Sequence, residues 1–325
     1  MATNPQKRPA DVGQAIRNAT SANPLIVDGA TGTELTRRGV PTPLPLWSAG
    51  AIDSHPDVLR DIHRDYVQAG ARIIVANTFR TNVRTLRTAG LLARGGELNR
   101  RAIALAWAAA AEATSRRVWV AASVAPVEDC YRPERVPPDS ELRDEHAQMM
   151  AWLRDAGADL VWIETMNTLR EARVAAAAAH DARLPFVVNW VLSQAGALLG
   201  GDSLEDAVKA VEPFDPLALG LNCIPPEGLT RQLPRLRACT RRPLIAYAHI
   251  GNPEPIMGWS FSESATPAQY AAQARTWIDL GATLVGGCCG TTPAHIVAVS
   301  AALSGGRAAT SGCSPDKRKT APEAT

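Results

Sequence analysis

The sequence predicts an α/β fold, a single-domain (β/α)8 TIM barrel. Eight short β-rich runs follow one another along the chain, and a stretch of helical character rich in Ala, Leu and Arg follows each. The runs are almost continuously apolar, which is typical of buried parallel strands. Eight such units within roughly 250–300 residues suit a closed barrel better than the alternative, an open doubly wound sheet.

The elements can be placed in order from their residues. Helical stretches such as DVLRDIHRDYVQAG and PAQYAAQARTWIDLG end on a glycine, which is a common helix stop. The barrel is expected to span residues 14–304, with flexible tails at 1–13 and 305–325 that are too small and polar to offset their ordering entropy. The predicted strands are LIVDG (25–29), RIIVANT (72–78), VWVAASV (118–124), LVWIET (160–165), FVVNWVL (186–192), LALGLNC (217–223), PLIAYAHI (243–250) and TLVGGCC (283–289).

Composition limits the partners that the chain is expected to bind. Of its 325 residues 46% are hydrophobic, and 34 Lys and Arg nearly balance 32 Asp and Glu, so no charge excess favours nucleic acid or an anionic membrane surface. The segment MATNPQKRPADVGQAIRN lacks the apolar core of a signal peptide, and no apolar run approaches the ~18 residues of a membrane span. We expect a cytoplasmic enzyme that binds small molecules; its oligomeric state is left open.

Six cysteines are the most informative residues. This number in so long a chain does not resemble a disulfide scaffold, and a reducing compartment would keep the thiols free. Cys288 and Cys289 are adjacent, and neighbouring Cα atoms about 3.8 Å apart fit a disulfide poorly, since disulfides prefer roughly 4.4–6.8 Å. The cysteines are Cys130, Cys223, Cys239, Cys288, Cys289 and Cys313.

Three of these cysteines fall at the carboxyl ends of predicted strands, where barrels carry their functional groups. Cys223 ends the sixth strand, and Cys288 and Cys289 end the eighth, so their sulfurs are expected on one rim, two strands apart. A turn at Gly290 would let both neighbouring thiols converge. The polar strand ends are Asp28-Gly29, Asn77-Thr78, Glu164-Thr165, Asn222-Cys223, His249 and Cys288-Cys289.

Three converging thiolates suit Zn²⁺, which binds sulfur at about 2.3 Å and in catalytic sites keeps a fourth position open. The alternative is that each cysteine is a small buried hydrophobe. Other motif classes are absent from the sequence: there is no C-x₂-C pair, GGCCGTT lacks the lysine of a P-loop, and DGATGTEL is not G-x-G-x-x-G. The pattern therefore favours a zinc site, with His249 set aside because three cysteines fill the protein positions.

The segments IVDGATGTEL, PLWSAG, GLNC and VGGCCGTTPAHI, in this order, resemble the homocysteine S-methyltransferase family. This family includes betaine–homocysteine methyltransferase and the homocysteine-binding module of cobalamin-dependent methionine synthase. The resemblance covers about residues 22–303 and is most specific at GGCCGTTP. It implies a (β/α)8 barrel with one zinc held by Cys223, Cys288 and Cys289, and a homocysteine thiol in the open fourth position.

The resemblance also implies substrate contacts, each with a structural alternative. Glu164 matches the acidic position that holds the substrate ammonium, or it stabilises the next helix N-terminus. Gly29 resembles the position that offers its N–H to the carboxylate, and Asp28 either supports that site or forms a turn. Trp47 resembles an aromatic that faces the methyl donor in some relatives, or it packs under a loop. Asn222 either orients the adjacent cysteine or satisfies a loop carbonyl.

Two loops on the expected catalytic face depart from the family pattern. The chain reads SVAPVEDCYRPE where many members have a Gly-Pro-Tyr-Gly-like stretch, and YAHIGNPEP where many read Tyr-Pro-Asn. The expected activity is zinc-dependent methyl transfer from S-methylmethionine or S-adenosylmethionine to homocysteine, giving methionine. The alternatives are methylation of another small thiol or selenol, and a non-catalytic zinc-bound barrel that binds thiols.

Overall fold

Eight parallel strands form one sheet in the order β1-β8-β7-β6-β5-β4-β3-β2. A bridge between Val27 and Ile73 joins the two ends of this order, so the sheet closes into a barrel. The structure is a computed structural model and describes residues 11–113, 116–252 and 265–304. The predicted (β/α)8 fold is confirmed. The strands are β1 Leu25–Ile26, β2 Ile73–Ala76, β3 Trp119–Val124, β4 Leu160–Met166, β5 Phe186–Trp190, β6 Leu219–Asn222, β7 Leu244–Ala248 and β8 Ala282–Gly287.

Helices surround the barrel, and their ends follow the local sequence. The helix predicted from DVLRDIHRDYVQAG ends at Gly70, whose φ of 119° suits glycine. The helix predicted from PAQYAAQARTWIDLG begins with a capping box between Thr266 and Gln269. Within the described residues the helices are α1 Val12–Asn18, α2 Gly32–Arg37, α3 Ala51–Ser54, α4 Pro56–Ala69, α5 Val83–Thr88, α6 Gly95–Ala111, α7 Asp139–Ala156, α8 Leu169–Asp181, α9 Leu204–Val211, α10 Pro226–Cys239, α11 Pro267–Asp279 and α12 Pro293–Ser304.

Helix α1 packs against the amino-terminal end of the barrel interior. Val12 and Ile16 are buried in one apolar cluster with Leu25, Trp119 and Leu160, the first residues of three strands. The Asp11 side chain caps the helix by accepting a hydrogen bond from the backbone N–H two residues on. Residues 11–13 are thus part of the folded unit rather than of the predicted tail 1–13, because burial of an apolar face fixes them. The remaining tail residues, 1–10 and 305–325, lie outside the described residues.

The strands have two buried faces. One packs against the helices, and the other fills the barrel interior. Inward positions are apolar near the amino-terminal end and become polar near the carboxyl ends, where Ser123, Glu164 and Tyr247 lie. The barrel therefore carries its polar groups at one rim. Among the described residues no helix is long and apolar enough to cross a membrane, and the cytoplasmic location stays a prediction.

Candidate metal centre and substrate cavity

The sulfurs of Cys223, Cys288 and Cys289 lie together at the carboxyl rim. All three Sγ atoms are within 4.8 Å of one another, and those of Cys223 and Cys288 are 3.1 Å apart. In the described ranges, this is the one group of three His, Cys, Asp or Glu side chains close enough to share a metal ion. The structure thus brings the three predicted ligands together. Cys239 lies at the end of helix α10, and Cys313 is outside the described residues.

Backbone geometry turns Cys288 and Cys289 towards the same side. The Cys288 N–H donates to the Ala248 carbonyl at 2.9 Å, and the Cys289 carbonyl accepts from the Ile250 N–H at 2.7 Å. The chain then turns at Gly290, whose φ is 82°. A Cβ at this position would lie 1.9 Å from the Ile250 carbonyl oxygen, so only glycine fits. This turn permits two neighbouring residues to face one site although a regular strand would separate them.

Cys223 and Thr165 both have left-handed backbone, with φ values of 54° and 59°. Asn222 connects them. Its Oδ1 accepts from the Thr165 N–H and its Nδ2 donates to the Thr165 hydroxyl, each at 2.9 Å. Since this amide is fully buried and both ends are used, the geometry supports the positioning alternative for Asn222. Substrate contact by Asn222 remains a prediction.

The pKa values of Cys223 and Cys288 are shifted in opposite directions. Hydrogen bonds from Cys288 and Cys289 hold the pKa of Cys223 well below its usual range, with His249 adding to the effect and burial opposing it. The same contacts, together with burial, raise the pKa of Cys288 well above its usual value. The Tyr131 hydroxyl lies 3.3 Å from the Cys223 sulfur. The two neighbouring thiols therefore favour the thiolate form of Cys223.

The residues present fit a zinc ion. Three soft sulfur donors select zinc over hard cations such as magnesium or calcium. Tetrahedral ligands about 2.3 Å from a metal are separated by roughly 3.8 Å, within the range that these sulfurs span. A site with three protein ligands leaves one position for a water or a substrate.

Glu164, at the end of β4, is held by two hydroxyl groups. Its Oε1 accepts from the Ser123 hydroxyl at 2.5 Å, and its Oε2 accepts from the Tyr247 hydroxyl at 3.1 Å. The Tyr247 oxygen in turn accepts from the Trp162 indole N–H at 2.9 Å. Burial raises the pKa of Glu164 to about 7, although the two hydroxyl donors act to lower it. The carboxyl group is therefore held in one orientation, and a nearby cation would favour its ionised form.

Asp28 and Gly29 follow β1 and line the same cavity as Glu164. The Asp28 carboxylate accepts from the Val75 N–H at 2.8 Å, and burial raises its pKa well above the usual value, with the charge of Glu164 adding. Gly29 is packed tightly, since a Cβ there would lie 2.8 Å from the ring of Tyr66. Asp28 therefore ties β1 to β2, and Gly29 lets the backbone border the cavity.

The cavity has a volume of about 630 Å³ and contains the predicted metal ligands, Glu164 and Trp47. Trp47 begins a short 3₁₀ helix, Trp47–Gly50. Its ring covers Gly32, where a Cβ would lie 2.4 Å from the ring, and meets the Phe79 ring at 6.0 Å between centroids. Asn77, at the end of β2, anchors this segment by donating to the Ser48 carbonyl at 2.8 Å. The Trp47 ring thus packs against Gly32 and Phe79 and also lines the cavity.

Sequence reasoning missed several residues of this site. Ser123 and Tyr247 could have been found, because each is a polar residue at an inward position of an otherwise apolar strand. Tyr131 and Cys130 lie in the SVAPVEDCYRPE stretch, which the sequence marked only as a departure from the family. No feature of the sequence indicated that Arg80, just beyond the end of β2, belongs to the site. The second departing loop is described only to residue 252.

The fold and the site define a (β/α)8 barrel with a three-cysteine, metal-ligating cluster at its carboxyl rim. A family model described as homocysteine S-methyltransferase matches residues 25–303. The homocysteine S-methyltransferase of Escherichia coli K12 is 32% identical over 301 residues, covering 85% of this chain and 94% of that protein. The selenocysteine methyltransferase of Astragalus bisulcatus is 27% identical, covering 88% of this chain and 94% of its own length.

Among solved structures, the metallated homocysteine methyltransferase MmuM of Escherichia coli superposes with a TM-score of 0.75 at 30% identity. The match covers 85% of this chain and 95% of that one. The chain belongs to the homocysteine S-methyltransferase family and is a methyltransferase. The resemblance drawn from the four motifs is confirmed, with nearly the same limits.

Proposed function

We propose that the protein is a zinc-dependent S-methyltransferase that moves a methyl group from a sulfonium donor, S-methylmethionine or S-adenosylmethionine, to homocysteine, giving methionine. The observation that carries the proposal is the convergence of three sulfurs with a buried, hydrogen-bonded carboxyl group in one cavity. Thiol chemistry and amino-acid recognition would thus occur side by side. We also propose a cytoplasmic location, on the sequence alone.

Cys223, Cys288 and Cys289 would hold the zinc ion. When bound, zinc supplies a lowered pKa for a thiol at the fourth position, which is otherwise mostly protonated at neutral pH with a pKa near 8.5. The positive φ of Cys223 and the turn at Gly290 orient the three protein sulfurs towards one another.

Glu164 would bind the ammonium group of the acceptor. Ser123 and Tyr247 fix both carboxylate oxygens, so the charge is already oriented before substrate arrives. An ammonium beside Glu164 would favour the ionised form and lower its pKa. The Gly29 N–H would donate to the substrate carboxylate, and Asp28 would hold the preceding backbone through its bond to Val75.

The donor would react by direct displacement. The acceptor sulfur forms a bond to the methyl carbon, the bond from that carbon to the sulfonium breaks, and its electron pair leaves with the donor sulfur as a neutral thioether. Trp47 would face the sulfonium, a cation–π contact of roughly 0.5–2 kcal/mol. A quaternary ammonium such as betaine has a poorer leaving group, so we expect little turnover with it.

A second candidate acceptor is another small thiol or a selenol. It is favoured by the similarity to selenocysteine methyltransferases, which reaches 27% identity over most of the chain. The same centre would serve a selenol because selenium, like sulfur, is a soft donor. Membership in a methyltransferase family counts against the non-catalytic alternative.

A matrix of acceptors and donors tests the proposal. Zinc-loaded protein would be incubated with homocysteine, cysteine or selenocysteine, each with S-methylmethionine, S-adenosylmethionine or betaine, and the methylated products would be measured by mass spectrometry. We expect the highest kcat/KM for homocysteine with a sulfonium. Faster methylation of selenocysteine would establish the second candidate instead, and no turnover with either sulfonium would overturn the proposal.

A further inference from the structure

The cavity has acidic groups at one end and basic groups at the other. Asp28 and Glu164 lie at the inner end, within the barrel rim, together with the three sulfurs. Arginine side chains line the outer part, beyond β2 and in the loop after β3: Arg80, Arg132 and Arg135. A carboxylate in the outer part of the cavity would be attracted by these arginines.

Among the described residues, Arg80 and Arg135 are the cavity-lining arginines that make no ion pair, and Arg80 is the half-buried one of the two. Its guanidinium carbon lies 5.6 Å from the centroid of the Phe79 ring. In the described part of the chain it makes no ion pair, and its Nε is buried with no hydrogen-bond partner. A buried donor left unbonded costs roughly 1–3 kcal/mol, so a ligand that accepts from it would recover that energy.

Two nearby arginines are paired with carboxylates, unlike Arg80. Arg84, four residues later, pairs with Glu128, Glu141 and Glu145. Arg132, also at the cavity, pairs with Glu134. Carboxylates are thus close at hand on this face, yet none among the described residues neutralises Arg80. The absence of a carboxylate partner is expected of a guanidinium that binds an anionic ligand.

Arg80 lies within reach of a ligand at the sulfur cluster. Trp47, Phe79 and Arg80 form a continuous row along one wall, with Trp47 against Phe79 and Phe79 under the guanidinium. Arg80, Cys130 and Cys223 line the same cavity. A volume of about 630 Å³ accommodates two small molecules together.

We propose that Arg80 is the specificity residue for the methyl donor, binding the carboxylate of an amino-acid sulfonium while the sulfonium lies against Trp47. This inference rests on the proposed function and names the donor class as one that carries a carboxylate. The guanidinium offers paired N–H donors to both carboxylate oxygens. Sulfonium ions without a carboxylate would lose this contact.

The test compares Arg80→Gln with wild type, using S-methylmethionine and trimethylsulfonium, which lacks a carboxylate. In Arg80→Gln the KM for S-methylmethionine should rise roughly ten- to hundredfold, the effect of one charged hydrogen bond. The KM for homocysteine and the kinetics with trimethylsulfonium should stay unchanged. Arg80→Lys should recover part of the loss, because it keeps the charge without the planar fork.

Arg72→Gln is the matched control. Arg72 also stacks on an aromatic ring, 5.3 Å from the centroid of Trp119, but lies outside the cavity. Donor kinetics like those of wild type are expected for it. A rise in the homocysteine KM instead of the donor KM, or an unchanged donor KM in Arg80→Gln, would overturn the inference.

A binding measurement separates this inference from the proposed function. If wild type transfers no methyl group, titration calorimetry of S-methylmethionine into zinc-loaded protein still reports the subsite. Weaker binding to Arg80→Gln than to Arg72→Gln, with trimethylsulfonium binding both alike, would support the carboxylate contact. Equal binding of S-methylmethionine to both variants would contradict it.

Discussion

Cys223, Cys288 and Cys289 are buried or half-buried thiols that lie close enough together to bind one metal ion. Any one of them alone would pass as a core residue. The sequence predicted the group because all three end strands of a parallel barrel, and such ends meet on one rim. It could not show that Cys223 would adopt a positive φ or that Gly290 would turn the adjacent pair inward.

Replacing Cys288 with alanine should remove most of the zinc, which is expected at about one ion per chain, because two thiolates bind zinc far more weakly than three. Elemental analysis of purified protein measures this directly. Cys239→Ala is the control, since its sulfur lies on helix α10 and outside the cluster. Stoichiometric zinc in Cys288→Ala would show that the sulfurs are not the ligands.

Glu164→Gln should weaken binding of an amino-acid ligand by roughly 1.5–3 kcal/mol, since it removes one charge from the proposed ion pair with the ligand ammonium. The pH dependence should change as well. With a pKa of about 7, Glu164 is mostly protonated at pH 6 and mostly ionised at pH 8, so the affinity of wild type should rise about tenfold over this interval.

L-Methionine is a suitable probe for Glu164 because it has the ammonium but no thiol that titrates. Calorimetry at pH 6 and pH 8 should show the rise for wild type and a flat, weaker response for Glu164→Gln, with zinc content equal in both. Identical pH profiles for the two proteins would assign Glu164 a structural role.

Trp47→Ala should impair the donor rather than the acceptor, because the indole would face the sulfonium. We expect a several-fold higher KM for S-methylmethionine, corresponding to roughly 0.5–2 kcal/mol, and an unchanged KM for homocysteine. Steady-state kinetics with each substrate varied in turn gives both values. Equal effects on both substrates would mean that Trp47 only shapes the loop after the first strand.

At the scale of elements, the apolar runs located the strands, but Asp28, Cys223 and Cys288 lie just beyond the ends of the regular strands. The run 25–29 predicted a strand of which Leu25–Ile26 is regular, because Asp28 and Gly29 turn to border the cavity. The loop 125–135 brings Tyr131 to Cys223 through contacts distant in sequence. Asn167, for example, donates to the Cys130 carbonyl at 3.0 Å. Such contacts cannot be predicted from local sequence patterns.

Helix α1 offers a test of the barrel that is independent of the site. Ile16→Ala should reduce the free energy of unfolding by roughly 2–4 kcal/mol, because Ile16 is fully buried against the barrel interior. Urea unfolding measures the change, and zinc content should stay the same. Val297→Ala, on the exposed side of α12, should change stability by less than about 0.5 kcal/mol. A comparable loss in both variants would show that α1 does not stabilise the barrel.

At the scale of the whole molecule, the fold and its family could be predicted because the β/α rhythm and the motif GGCCGTTP are both local in sequence. The arrangement of acidic and basic groups in the cavity could not be predicted, since it combines Glu164 from β4 with Arg80 beyond β2. Ser123 and Tyr247 come from two further strands to hold the same carboxylate. Only closure of the barrel brings these groups into one cavity.

Methyl transfer to a thiol at the three-sulfur centre is the central proposal for this protein. The most direct test follows a ¹³C-labelled methyl group from S-methylmethionine to homocysteine, with zinc content measured on the same samples of wild type, Cys223→Ala and Cys239→Ala. We predict that wild type and Cys239→Ala form labelled methionine and retain zinc, and that Cys223→Ala loses both. Labelled methionine formed by Cys223→Ala at the wild-type rate would contradict the account.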